Sequence, residues 1–310
     1  MTSFKALVIK DLQANRKALM VPIWYLLGMY VFMAGSMIFA SASGNNSMVI
    51  NGIPLSLLAN ENVHKIMSFI MQSAMFFGFL GVIFAISMSM ISSTMLNQDI
   101  KHKCELFHRS QPVSVWQNTA SRFIAGIGGP LALAFVIGIV NMLLSNLLAS
   151  ILTPMRVDWW MSANGFLLSW LHFSIALMVL GSILFLLSSI FKDNAFGLGI
   201  GGLGALQLVA FILNKIYGWH LPYILNKTYQ LIMSGILKIQ TVLPTSQQFG
   251  IVSIGTKGQE PDLASFIVPG NFLPIMWGTL FTWDIAFKFL FCAVMFGLAT
   301  FIYHRREVQF

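Results

Sequence analysis

Charge is what this chain has least of. Only 9% of its 310 residues are Asp, Glu, Lys or Arg, against about 25% in a water-soluble domain, so a globule of this size could not be covered with polar surface. Cysteine is nearly absent. Cys104 and Cys292 stand alone and far apart, which excludes a disulfide framework and a metal site of ordinary Cys/His spacing. Histidine is thin too: six are scattered, and His172 alone falls inside a predicted span. No HExxH, no CxxC and no pair of carboxylates within one apolar run occurs, so the residue sets an intramembrane enzyme would need are missing. What is abundant is apolar surface, 57% of the residues with a mean hydropathy of +0.78. The solvent that suits such a chain is a bilayer.

Stretches free of formal charge run 18 to 60, 66 to 98, 123 to 155, 159 to 191 and 194 to 214, and a sixth lies between Lys288 and Arg305. A crossing helix needs about 20 mostly apolar residues. The pattern predicts spans near 19–40, 66–92, 123–150, 166–190, 195–213 and 283–303, an all-α integral membrane protein forming one domain over 1–310. Six crossings put both termini on one side. With that side cytoplasmic, the inner pieces carry Lys5, Lys10, Arg16, Lys17, Lys101, Lys103, Arg109, Arg122, Lys192, Arg305 and Arg306, whereas the two short outer loops carry Lys65 and Arg156. This asymmetry orients membrane proteins. The net charge of +8 therefore reads as topology rather than as a nucleic-acid partner.

Two rival readings of these runs are set aside. Residues 263 to 283 are free of formal charge, but Pro269, Gly270, Asn271 and Pro274 would break a lipid-facing helix. An odd count would also move Arg305 and Arg306 outside. A broken, re-entrant hairpin within the outer segment 214–282 suits them better. Ala40, Ser41 and Ala42 resemble a signal cleavage site, yet the run from Ala18 to Phe39 exceeds the roughly 7–15 residues of a signal's apolar region.

Before the first span, residues 1–17 place Phe4, Leu7, Val8 and Leu12 on one helical face, with Lys5, Lys10, Asp11 and Asn15 elsewhere. That is an amphipathic helix for the inner leaflet, either a simple anchor or an elbow that passes motion into span one. Gly197, Gly199 and Gly202 satisfy GxGxxG, but without the strand and crossover that a dinucleotide site requires. Gly197 and Gly201 instead give GxxxG spacing for close packing of membrane helices. Gly250, Gly255, Thr256 and Lys257 imitate a phosphate loop with its last residues exchanged and would not reach a nucleotide.

Asp284 and Lys288, at i and i+4 at the outer end of span six, form an outer-gate ion pair that is either structural or coupled to an ion gradient. Span two is rich in Met and Phe, including Met71, Met75, Phe76 and Phe79. These are either lipid-facing filler or, with His172, part of an adaptable pathway for amphiphiles.

The most informative piece joins spans two and three, Asn97 to Arg122. Residues 99–109 can form a short helix offering Ile100, Leu106 and Phe107 among charges, stopped at Pro112. A short amphipathic cytoplasmic helix ending in Ser110, Gln111, Pro112, Val113 and Ser114 resembles the coupling region of type-2 ABC export permeases. The likeness extends to the layout: amphipathic elbow, six spans, coupling loop, long outer segment and the basic end Tyr303 to Val308. Many relatives carry a basic residue just after the Pro-Val-Ser, where this chain has Val115 and Trp116.

The resemblance implies that Glu105, Leu106, Phe107, His108 and Arg109 enter a cleft on a separate ATPase. Two such ATPase copies would hold ATP and Mg, and this chain would bind no cofactor. It further implies a second permease copy or paralogue, membrane lipids around it, and a bacterial cytoplasmic membrane. The expected cargo is an amphipathic peptide or another hydrophobic amphiphile. The alternatives are a permease for drugs, lipids or glycopolymers, and a membrane sensor that transports nothing.

Overall fold

A computed structural model of the chain describes residues 2–42, 61–97, 114–152, 156–191, 195–218, 220, 222–223, 226–234 and 269–308. These are helical, with short connections and no strand among them. Ten α-helices are labelled here: α1 Thr2–Ala14, α2 Arg16–Ala42, α3 Glu61–Met75, α4 Val82–Thr94, α5 Val115–Phe123, α6 Gly129–Leu152, α7 Trp159–Ile190, α8 Ala195–Tyr217, α9 Pro269–Gly278 and α10 Trp283–Val308. Residues 226–234 form a further helical stretch. Two π-helical turns make otherwise continuous rods, Phe76–Gly81 between α3 and α4 and Ile124–Gly128 between α5 and α6.

Among the described residues, four helices are long and apolar enough to cross a membrane: Val115–Ile151, Trp159–Ile190, Ala195–Tyr217 and Phe272–Arg305. The second of these, α7, is the hub. It packs against α3, α4, α6 and α10, and small residues let it do so. Gly165 lies so close to α3 that an added Cβ would stand 2.6 Å from the Phe69 carbonyl oxygen. The main apolar core joins Phe76, Leu80, Phe84 and Met88 to Ile127, Ile137, Phe166, Phe173 and Leu177. Phe76 is its centre, in edge-on contact with Phe166 and Phe173 at 5.7 and 5.5 Å between ring centroids.

A second cluster closes one end of the bundle. Ile91, Met95, Leu96, Ala125, Phe185, Ala299 and Tyr303 are buried there, with Val8 and Leu12 of α1 packed against them. A third, at the other end, seats Met276 of α9 on Phe69, Met161 and Leu168.

Three local outcomes differ from the sequence reading. The third long helix begins at Val115, eight residues before the predicted span, because Ser114 caps it by accepting from Gln117 N at 3.3 Å. Arg122 is therefore helical and buried. Asp11 and Asn15 belong to the buried face of the amino-terminal helix, not to its exposed face. Their spacing from Leu7, Val8 and Leu12 is that of one helical stripe, and partners on other elements satisfy them. Among the described residues, finally, nothing approaches Gly197 or Gly201: a Cβ at either would meet no atom within 4 Å. The close contact on α8 is at Gly199, against Leu187.

Candidate functional site

The segment singled out by sequence leaves the described structure at Asn97 and re-enters it at Ser114. Glu105, Leu106, Phe107, His108, Arg109 and Pro112 lie outside the described residues, as do Gly250, Gly255, Thr256 and Lys257. The two ends of that segment are nevertheless visible, and both run into one polar node at the closed end of the bundle.

Arg122 is the centre of the node. Its Nη1 donates to the carbonyls of Met95 at 3.2 Å and Leu96 at 3.5 Å, just past the end of α4, and its Nε donates to Asn118 Oδ1 at 3.3 Å. The guanidinium also sits 5.7 Å from the Tyr303 ring centroid on α10. A helix end leaves carbonyls without intrahelical donors and carries partial negative charge, so a buried cation is well matched there.

Asn97 does the equivalent on the other side, where its amide donates to the Phe191 carbonyl at the end of α7 at 2.7 Å. Asp11 of α1 accepts from the Ser121 hydroxyl at 3.2 Å. Asn15, at the α1–α2 joint, donates to the Asp11 carbonyl at 2.9 Å and to Met95 Sδ at 3.6 Å. One cation, one carboxylate and three amides thus bind α1, α4, α5, α7 and α10 at the base of one segment.

No family model, no curated protein and no solved structure matches this chain. Its chemistry has to be read from its own side chains, and those at the node hold helices together rather than activate a nucleophile. Among the described residues there is also no group of three or more His, Cys, Asp or Glu that could hold a metal ion.

The remaining sequence candidates fall in two places. Met71, Met75 and Phe76 are on α3 and its π turn, with Phe76 sealed in the main core and both methionines half-buried. Phe79 is in the same turn, its side chain outside the described set. His172 is buried and its Nε2 is 2.8 Å from Thr279 Oγ1. The same hydroxyl also lies 2.6 Å from the Met276 carbonyl oxygen. The pair ties α7 to the α9–α10 turn.

Lys288 is 1% exposed, which rules out a lysine reaching for the interface, and its Nζ is 3.4 Å from Asp284 Oδ2. Ser234 donates to the same carboxylate oxygen at 2.9 Å. Residues 226–234 are thereby fastened to α10, and Ile232 and Met233 rest on the main core. The pair is thus a three-member link whose carboxylate serves two elements.

Sequence reasoning missed a third cluster. Gln72 Nε2 donates to Ser145 Oγ and to Asn146 Oδ1, both at 2.7 Å, and Ser162 Oγ donates to Asn146 Oδ1 at 3.1 Å. All four are buried, and they join α3, α6 and α7. The available signal was an amide in each of two apolar runs, and amides there pair across helices. At the start of α3, Glu61 and Lys65 form a surface pair at 2.7 Å. It holds the Glu61 carboxyl below, and the Lys65 ammonium above, its ordinary range.

Proposed function

We propose that this chain is the transmembrane permease subunit of an ATP-driven exporter, without a nucleotide site of its own. It would move amphipathic peptides or similar amphiphiles and work as a dimer with two ATPase copies. The observation that carries the reading is the node at the base of residues 98–113. A segment pushed by a motor transmits work only if its ends are fixed to the parts that must move. Asn97 and Arg122 fix those ends to the termini of α7 and α4, and Asp11 and Asn15 add α1.

α1 then acts as an elbow packed into the bundle rather than a loose anchor, since Leu12 fills the space beside Gly129. In the six-span reading, α2, with 27 residues, and the rod from Glu61 to Thr94 supply two crossings beyond the four long apolar helices. α9 and residues 226–234 form the re-entrant outer gate, with Asp284 and Lys288 as its latch. Met71 and Met75 lie beside the path of the cargo.

The test is co-purification of the tagged full chain, expressed in its own host, with any nucleotide-hydrolysing subunit, followed by ATPase assay of the purified material in proteoliposomes. Association that Glu105→Lys abolishes, with hydrolysis stimulated by membrane-active peptides, is the expected result. Absence of any associated ATPase, or association and export unchanged by Glu105→Lys, overturns the coupling role and favours a membrane protein that transports nothing.

A further inference from the structure

The exposed face of α1 and the start of α2 carries cations only. Lys5, Arg16 and Lys17 are exposed, and among the described residues none of the three forms an ion pair. The one carboxylate between residues 2 and 42 is Asp11, and it is turned inward to Ser121. Folding has therefore separated the charges of this stretch, acid into the bundle and bases out of it.

The surface next to those cations is apolar. Ile9 is exposed among them on α1, and from one turn beyond Lys17 the outside of α2 presents Val21, Trp24, Leu27 and Val31, Trp24 being 68% exposed. A band of cations bordering an apolar helix exterior, with a tryptophan at the boundary, matches the profile of one leaflet, anionic headgroups above acyl chains. At the opposite end of the bundle Lys65 is neutralised by Glu61 at 2.7 Å.

We propose that Lys5, Arg16 and Lys17 form a docking surface for anionic phospholipid, the phosphates meeting the cations while the acyl chains lie along Val21, Trp24 and Leu27. The charge complementarity and the continuous apolar stripe select an intact lipid over a free anion or an acidic protein. The inference needs only the membrane setting of the chain and holds whether or not the chain transports anything. Basic residues near an anionic membrane surface contribute about 1 kcal/mol each, or roughly fivefold in affinity per residue.

The experiment uses the full chain purified in neutral detergent. It is titrated with phosphatidylglycerol, phosphatidylcholine and soluble glycerol phosphate, and bound lipid is read by native mass spectrometry. Phosphatidylglycerol is expected to bind in preference to phosphatidylcholine, to weaken as salt is raised, and to outcompete glycerol phosphate. The combined Lys5→Gln, Arg16→Gln, Lys17→Gln variant should lose on the order of 100-fold, each single variant about fivefold, and Lys65→Gln nothing. The single variants and a Lys5→Arg, Lys17→Arg variant that retains binding guard against a folding defect in the triple. Equal affinity for the two lipids, a preference that survives the triple variant, or glycerol phosphate binding as well as the lipid would overturn the proposal.

Discussion

At the scale of single residues, the cost of a change follows from what each side chain leaves behind. Arg122 supplies a charged donor to the Met95 and Leu96 carbonyls in a buried setting, and hydrogen bonds from charged groups contribute about 1.5–3 kcal/mol. Arg122→Met is expected to lower stability by about 3 kcal/mol, read as thermal unfolding in detergent. Arg122→Lys should recover less than half of that, since an ammonium cannot span both carbonyls and Asn118 as the planar fork does. Glycines divide just as sharply. At Gly165 a Cβ would stand 2.6 Å from the Phe69 carbonyl oxygen and 3.1 Å from its Cα, backbone atoms that cannot turn aside, so Gly165→Ala should cost about 1–3 kcal/mol. Gly201→Ala meets nothing among the described residues and should be neutral, or stabilising by about 0.5–1 kcal/mol through helix propensity. Destabilisation by Gly201→Ala at high protein concentration alone would place a second copy against that face. The Glu61–Lys65 pair is exposed and contributes little. A depressed carboxylate and a raised ammonium stabilise the fold between their two ordinary ranges, losing effect as pH falls through the Glu61 value or rises through that of Lys65. Glu61→Gln should abolish this pH dependence, and added salt should mimic the variant.

At the scale of elements, amide and hydroxyl groups do work that apolar packing alone does not. Lipid tails are as apolar as leucine, so nothing but shape and polar pairing sets which helices meet in a membrane. Gln72, Ser145, Asn146 and Ser162 fix α3 against α6 and α7 at one end of the bundle, while Arg122, Asn97 and Asp11 fix the other end. Between them lie the π turns at Phe76–Gly81 and Ile124–Gly128, where looser winding makes room for Phe76 and brings Gly126 against Met95. The polar ends thus brace a middle packed mainly by rings and methyl groups, with single bonds such as Tyr30 to Asn141 Oδ1 at 3.0 Å and Trp170 Nε1 to the Leu131 carbonyl at 3.3 Å. A double-mutant cycle of Gln72→Leu with Asn146→Leu measures the brace directly. A coupling of about 0.6–1.7 kcal/mol is expected from the range found for interhelical bonds in membranes, read from unfolding in mixed micelles. A coupling near zero would mean that Ser145 alone satisfies Gln72.

At the scale of the whole molecule, composition made the all-helical, membrane-type class legible, because 9% charge and long charge-free runs favour helices that bury their backbone groups in lipid; of the six predicted spans, four coincide with helices long and apolar enough to cross. The starts of α7 and α8 and the buried Asp284–Lys288 pair were legible in part, from charge punctuation and i, i+4 spacing. The node was not. Arg122 and Asp11 read as solvent-facing by type, and only the folded neighbours show that one caps a helix and the other meets a serine across 110 positions of chain.

Topology is the global property on which the exporter reading depends, and it can be tested with four single cysteines. In a background lacking Cys104 and Cys292, Lys17→Cys and Arg305→Cys should react with an impermeant maleimide only after the membrane is opened, whereas Glu61→Cys and Arg156→Cys should react in intact cells. All four positions are exposed on the protein surface, so silence at any of them is not due to burial within the protein, and labelling of the same variant after the membrane is opened is its control. Glu61 is the discriminating position. If only the four long apolar helices crossed, α2 would return to its starting side and Glu61 would share the compartment of Lys17. If α2 crosses, the two are separated by the bilayer, and the rod from Glu61 to Thr94 must bring the chain back to set Arg122 on the side of Lys17.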